Sequence, residues 1–331
     1  MAASTHRLRV VSVYAAIFLI FALVGAEIVL RVLWGLGDPA LVFPDPDFGY
    51  AFQPNQHVRR FGHLIEYDAN GLRSPPVPAA PGSGTLRILC LGDSVTNGGA
   101  ATDQSRTYPY LLAARLRESG LKTDVLNASA GQWAAANELA FLKKRGSFHS
   151  QVIILQIGTH NLCQAKSGSE YAGATDFPDQ KPATAIGELL TRYLLPLVPG
   201  LGIFHPEAAP AHVAHPGLVD PCPDDLRISC IRAIRDLIGE ARSRGAKPLI
   251  LLTVYRDEVD NQRPIAGFLR QGLFSLAQTE RVAVEDMLPR LRTVAAQRED
   301  DFRDYIHPNA TGNQRMAEAA AALIQKGEAG N

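Results

Sequence analysis

The sequence predicts a three-layer α/β/α sandwich built on a mainly parallel sheet and preceded by one N-terminal transmembrane helix. Three observations carry this. From Leu86 onward, short apolar runs alternate with longer amphipathic ones, the pattern of βα units around a parallel sheet. Runs such as Val152–Leu155 are apolar at successive positions, as strands covered on both faces are. Residues Val10 to Ala26 are apolar apart from Ser12 and Tyr14.

The bulk numbers fit one large domain with an appendage, or two modest domains, since the chain has 331 residues. A hydrophobic share of 46% supplies a sizeable core. Lys+Arg and Asp+Glu both total 33, and no basic stripe carries interleaved aromatics. Nucleic acid is therefore not an expected partner.

The first element is the N-terminal segment, residues 1–34. Arg7 and Arg9 precede the apolar run; Glu27 and Arg31 interrupt it before Val32–Trp34 prolong it. A bilayer core needs roughly 20 apolar residues of helix, and charged ends can snorkel to the interface. The segment reads as a single-pass anchor, with Glu27 at the interfacial end of the span. A signal peptide cut after Ala26 is the other reading, because Val24-Gly25-Ala26 offers small residues at the cleavage position. The run exceeds the roughly 7–15 residues of a signal core, which favours the anchor. In either case the basic flank stays cytoplasmic and the bulk of the chain is extracytoplasmic, secreted if cleavage occurs.

Residues 35–85 are dense in Pro, Gly and turn residues and read as an extended spacer with a small β element around Gln56–Tyr67. Residues 86–331 form the main domain. Its strands are expected at Leu86–Leu91, Thr123–Asn127, Gln151–Ile157, Pro248–Val254 and Arg281–Glu285. Its helices are expected at Tyr108–Ser119, Ala135–Arg145, Asp225–Arg244, Ile265–Leu276 and Asn309–Gln325, the last opened by Pro308. An insertion, 164–224, holds a helix at Thr184–Leu197 and then a stretch rich in Pro and His. Insertions of this length usually wall or cover a binding site.

Four cysteines show no CxxC pair. Cys90 lies in an apolar strand and reads as a small buried hydrophobe. In an exported domain one disulfide is expected, either Cys222–Cys230 or Cys163–Cys222.

Two motifs carry chemistry. Gly92-Asp93-Ser94 follows the first strand of the main domain and precedes Val95-Thr96-Asn97-Gly98. A serine at the carboxyl end of a parallel strand stands where such sheets bind ligands; taken alone, it is equally a capping serine in a strand-to-helix turn. No GxxxxGK[ST] or GxGxxG is present to suggest a phosphate loop. Near the C-terminus, Asp304 and His307 stand three apart in Asp304-Tyr305-Ile306-His307-Pro308. That spacing lets a carboxylate fix an imidazole tautomer, although an isolated Asp/His pair is more often a local salt bridge.

Together, the order Ser, Asp, His with these spacings resembles the SGNH/GDSL hydrolase family, which includes membrane-anchored bacterial members. The resemblance covers residues 86 to about 327 and extends to Asn127-Ala-Ser-Ala-Gly131 and Gly158-Thr-His-Asn161. It implies a flavodoxin-like catalytic domain with Ser94 as nucleophile, His307 as base and Asp304 behind it. It implies an oxyanion hole from the Ser94 and Gly131 backbone N–H groups and a side-chain donor in the third block. One departure stands out. The family reads Gly-x-Asn-Asp there, whereas this chain has His160 at the donor place and Asn161 one residue later. Either a bulge brings Asn161 in, or His160 donates from its ring.

The resemblance implies an extracytoplasmic serine ester hydrolase acting on a short O-acyl ester of a glycan, lipid or small molecule. The alternatives are an O-acyltransferase using the same residues on a glycan acceptor, and a membrane-tethered binding module without catalysis. No cofactor or metal is expected: His205, His212 and His215 sit in proline-rich sequence that reads as an exposed loop.

Overall fold

The computed structural model describes residues 2–197, 222–259, 264–297 and 299–329. The chain opens with helix α1 (Ala2–Trp34) and continues through β1 (Val42–Asp45), β2 (Gly49–Phe52), β3 (Gln56–Arg60) and β4 (His63–Tyr67). The main domain then runs β5 (Leu86–Gly92), α2 (Ser94–Asn97), α3 (Tyr108–Glu118), β6 (Thr123–Ser129), α4 (Ala135–Arg145) and β7 (Val152–Gly158). The short α5 (Ala185–Glu188) lies in the insertion, followed by α6 (Asp224–Ser243) and β8 (Lys247–Thr253). Last come α7 (Arg256–Val259), α8 (Pro264–Glu280), β9 (Val284–Asp286), α9 (Met287–Ala296) and α10 (Ala310–Ala329).

Five strands form one sheet in the order β6-β5-β7-β8-β9, every pair parallel. Successive side chains of a strand point to opposite faces, and the core divides accordingly. Leu89, Leu91, Ile153 and Leu155 meet Phe141 of α4, Ile234 of α6 and Leu273 of α8. Ile88, Cys90 and Ile154 meet Leu112 of α3, Leu291 of α9 and Leu323 of α10. This is the three-layer sandwich that the alternating runs predicted. Cys163 and Cys222 form the disulfide, while Cys90 and Cys230 are free and buried.

The segment 35–85 differs from the extended spacer expected of it. It folds into two antiparallel hairpins, β1–β2 and β3–β4, the second coinciding with the β element anticipated at Gln56–Tyr67. Tyr50, Phe52, Val58, Ile65 and Tyr67 are buried in the same core as the sheet. Phe52 and Tyr67 stack at 4.1 Å between ring centroids. Turn residues so closely spaced suggested an extended spacer with one small β element; here they connect strands of four or five residues whose aromatic side chains bind them to the main domain.

In α1, Val10–Trp34 is 25 residues long and apolar enough to cross a membrane or serve as a signal sequence. Large side chains such as Phe18 and Phe21 are exposed along it. Its far end is tied to the rest of the chain. Glu27 accepts the backbone N–H groups of Ala185 at 2.8 Å and Ile186 at 3.0 Å, and Arg31 donates to Glu27 at 2.7 Å. Helical chain continues past α5 through Leu189–Leu194 to Leu195–Leu197, matching the expected helix at Thr184–Leu197.

Glu188 joins this stretch to the β3–β4 hairpin. It accepts from Arg60 at 2.6 Å and from the Gly37 backbone N–H at 2.5 Å, and both charged side chains are almost fully buried. Burial pushes the Glu188 carboxyl up, but Arg60 and the Gly37 N–H outweigh it and hold it below the ordinary range. A carboxyl lowered on folding stabilises the fold above the ordinary carboxylate range, and that stabilisation is lost as the pH falls. Glu188→Ala strands the Arg60 charge and is expected to cost about 3–5 kcal/mol near neutrality. Thermal unfolding from pH 7 down to pH 3 should show the gap to wild type narrowing; a gap independent of pH would show that the pair contributes little.

Candidate active site

The chain leaves β5 to pair β6 on one side and returns at β7 on the other, so the carboxyl end of β5 is a switch point where a crevice opens. Gly92 ends the strand there. A Cβ on it would lie 2.4 Å from Thr96 Oγ1 and 2.6 Å from Gln156 Oε1, so the turn requires glycine. Asp93 caps α2 by accepting the Val95 backbone N–H at 2.8 Å. Gly98, at φ 81°, closes the helix with its N–H on the Ser94 carbonyl at 2.8 Å. Ser94 is thus the first residue of a one-turn helix, where backbone N–H groups lack an intrahelical acceptor.

The second motif folds into a turn just before α10. Asp304 Oδ1 accepts the Ile306 backbone N–H at 3.0 Å and that of His307 at 2.8 Å. Its Oδ2 lies 2.8 Å from His307 Nδ1. On the other side of the ring, His307 Nε2 lies 2.9 Å from Ser94 Oγ. Burial pushes the Asp304 carboxyl up, yet the hydrogen bonds from His307 and the two backbone N–H groups hold it well below the ordinary carboxylate range. The structure therefore places an ionised carboxylate, an imidazole and a hydroxyl in line, although 213 residues separate Ser94 from His307.

Gly131 follows β6, and its carbonyl accepts the Tyr50 hydroxyl at 2.6 Å. With Ser94 and His307 it borders a cavity of about 290 Å³ whose other walls include Phe52, Ile65, Phe177 and Arg192. Phe52 and Ile65 come from the hairpins; Phe177 and Arg192 come from the insertion. These wall residues escaped the sequence reading. The expected wall from the insertion 164–224 was one signal, and the aromatic and β-branched content of residues 49–67 was the other.

The third block differs from expectation. His160 Nε2 is hydrogen-bonded to Asp93 Oδ2, and its ring meets Tyr255 edge-on at 5.9 Å. Asn161 is fully buried. Its Oδ1 accepts the Gly158 N–H at 2.6 Å, and its Nδ2 donates to Gln164 Oε1 at 3.0 Å. Neither residue borders the cavity. The two side chains offered as oxyanion donors are engaged elsewhere, one hydrogen-bonded to a buried carboxylate and the other closing its own loop. His205, His212 and His215, the residues weighed for a metal, lie outside the described residues.

The Asp93–His160 pair has its own electrostatic logic. Burial pushes the Asp93 carboxyl up, but the His160 charge and hydrogen bond, with the Val95 N–H, bring it below the ordinary range. Gly158 makes room for the ring, since a Cβ there would lie 2.1 Å from His160. His160→Ala would leave a buried carboxylate without its partner, at an expected cost of about 3–5 kcal/mol. The loss should be largest near pH 7 and shrink in acid as Asp93 protonates. Unchanged melting temperatures at pH 7 would rule out this role.

Residues 90–315 match the GDSL-like Lipase/Acylhydrolase family. Among solved structures, an acetyl xylan esterase aligns at 14% identity and TM-score 0.47, over 72% of this chain and 100% of its own. A lipase/acylhydrolase from Enterococcus faecalis aligns at 12% identity and TM-score 0.45, over 73% and 96%. A lipolytic protein of the G-D-S-L family from Veillonella parvula aligns at 14% and 0.45, over 72% and 98%. No curated protein matches the chain. The family match covers more than half of the sequence, including Ser94, Asp304 and His307, and the chain accordingly belongs to the GDSL-like lipase/acylhydrolase family, as a hydrolase acting on ester bonds.

Proposed function

We propose that the protein is a membrane-anchored, extracytoplasmic serine esterase that cleaves O-acyl esters through an acyl-enzyme on Ser94. The observation that carries this is the Ser94 Oγ to His307 Nε2 contact of 2.9 Å on the wall of a cavity. Ser94 Oγ attacks the ester carbonyl while its proton passes to His307 Nε2. Asp304 holds the Nδ1 tautomer and stabilises the imidazolium. The tetrahedral oxyanion accepts from the Ser94 and Gly131 backbone N–H groups, each such donor being worth roughly 3 kcal/mol.

Collapse of this intermediate breaks the ester C–O bond, and the alcohol leaves with the proton from His307. Water then attacks the acyl-enzyme. His307 takes its proton and returns it to Ser94 as the carboxylic acid departs. The apolar walls Phe52, Ile65 and Phe177 suit the acyl chain, and desolvation by these walls strengthens every polar interaction at the reacting carbon. Arg7 and Arg9 ahead of the apolar helix support a cytoplasmic N-terminus with the esterase on the far side of the membrane. The Cys163–Cys222 disulfide suits the same compartment.

A fluorophosphonate should label the wild type and not Ser94→Ala. Asp304→Asn should bind ester normally but lose about 1,000- to 10,000-fold in kcat, because the amide cannot hold the productive tautomer. Labelling that persists in Ser94→Ala, or an Asp304→Asn enzyme of full activity, contradicts this mechanism.

A further inference from the structure

We propose that the esterase site is held at a fixed height on the bilayer surface and that its substrate is an acyl ester carried by a membrane-resident molecule. This rests on the serine esterase reading and on α1 spanning the membrane. From Val10 to Ala26 the helix covers roughly 25 Å at 1.5 Å per residue, against a hydrocarbon core of about 30 Å. Glu27 therefore falls within about one helical turn of the boundary between lipid and water.

A glutamate in an apolar helix needs a partner, and here the partner belongs to the segment that runs on to the wall of the site. Glu27 accepts the N–H groups of Ala185 and Ile186, and Arg31 braces Glu27 while also donating to the Ala183 carbonyl at 3.5 Å. About two helical turns beyond Ala185, at most roughly 10 Å along the chain, Arg192 borders the cavity that holds Ser94. Glu188, between them, joins the same stretch to Arg60 and Gly37. The anchor is thus continuous with the pocket wall through hydrogen bonds and an ion pair rather than through a loose tether.

The surface around this junction suits lipid. Leu190 and Leu194 of the insertion helix are both exposed. Trp34 at the end of α1 and Phe61 at the tip of the β3–β4 hairpin are exposed as well. The Phe61 backbone N–H donates to the Trp34 carbonyl at 3.0 Å, bringing the two together. Aromatic and aliphatic side chains at a span's end are typical of the membrane interface. They extend the apolar surface of α1 onto the domain.

The test changes height without touching the clamp. Seven helical residues inserted between Ala26 and Glu27 lift the domain by about 10 Å and nearly preserve its rotational phase. Full-length wild type and variant are placed in phosphatidylcholine vesicles. They are assayed on a pyrene-labelled diacylglycerol in the same bilayer and on soluble p-nitrophenyl acetate. The insertion should lower kcat/KM for the vesicle-borne ester about tenfold or more, since a rigid spacer that misses the surface loses the proximity advantage. The soluble ester should be hydrolysed at an unchanged rate, which also shows that the variant is folded. Equal rates on the bilayer ester with and without the insertion, or a wild type that turns over only the soluble ester, would overturn the proposal. Absence of Ser94-dependent turnover on either ester would instead overturn the esterase reading beneath it.

Discussion

The structure depends on how the chain turns at Gly92-Asp93-Ser94. Between the last strand residue of β5 and the first helical residue of α2 there is only Asp93, so the backbone must reverse character almost at once. Glycine is required where Thr96 and Gln156 crowd the turn. A carboxylate is used at the cap, and its burial is costly unless it is paired. His160, delivered from the end of β7, supplies that pairing. Two neighbouring strands of the sheet thus cooperate to hold one serine in place, and the register between β5 and β7 (Leu91 opposite Leu155) sets the alignment.

In the third sequence block His160 is thus taken up by Asp93, while Ser94 and Asp304 remain within hydrogen-bond reach of His307. His160 helps hold the Asp93 carboxyl below its ordinary range and does not border the cavity. Asn161 in turn accepts from Gly158 and closes the tight helix Thr159–Cys163. The cavity is bordered by Ser94, Gly131 and His307, by polar side chains such as Arg192 and Asp176, and by apolar walls from segments far away in sequence.

Much of the sheet was legible because its strands are buried on both faces and read as continuous apolar runs. The strand predicted at Arg281–Glu285 begins later, at Val284, because Arg281 adopts a left-handed conformation (φ 51°) in the turn after α8. Helix α9 went unpredicted; Pro289 in its first turn obscures the helical period, and Asp286 supplies a cap by accepting the Leu288 N–H at 2.9 Å. The alignment of Ser94 with His307 could be anticipated only through the joint spacing of two motifs, each ambiguous by itself. The insertion was expected as a wall, but the individual residues were not, since Phe52, Ile65, Phe177 and Arg192 acquire their roles through hairpin packing and the path of the insertion rather than through local pattern. Spacing also left two disulfides open, and the fold selects Cys163–Cys222 by bringing the end of the insertion back to the segment after β7.

In the proposed mechanism Ser94 attacks a carbonyl carbon whose oxygen turns toward the Ser94 and Gly131 backbone N–H groups. A crystal structure of the full-length protein inactivated with an alkyl fluorophosphonate tests this most directly. The account requires phosphorus bonded to Ser94 Oγ, a phosphoryl oxygen within about 3 Å of both N–H groups, and the alkyl chain against Phe52, Ile65 and Phe177. An adduct on another residue, or a phosphoryl oxygen pointing away from Gly131 into solvent, would contradict it.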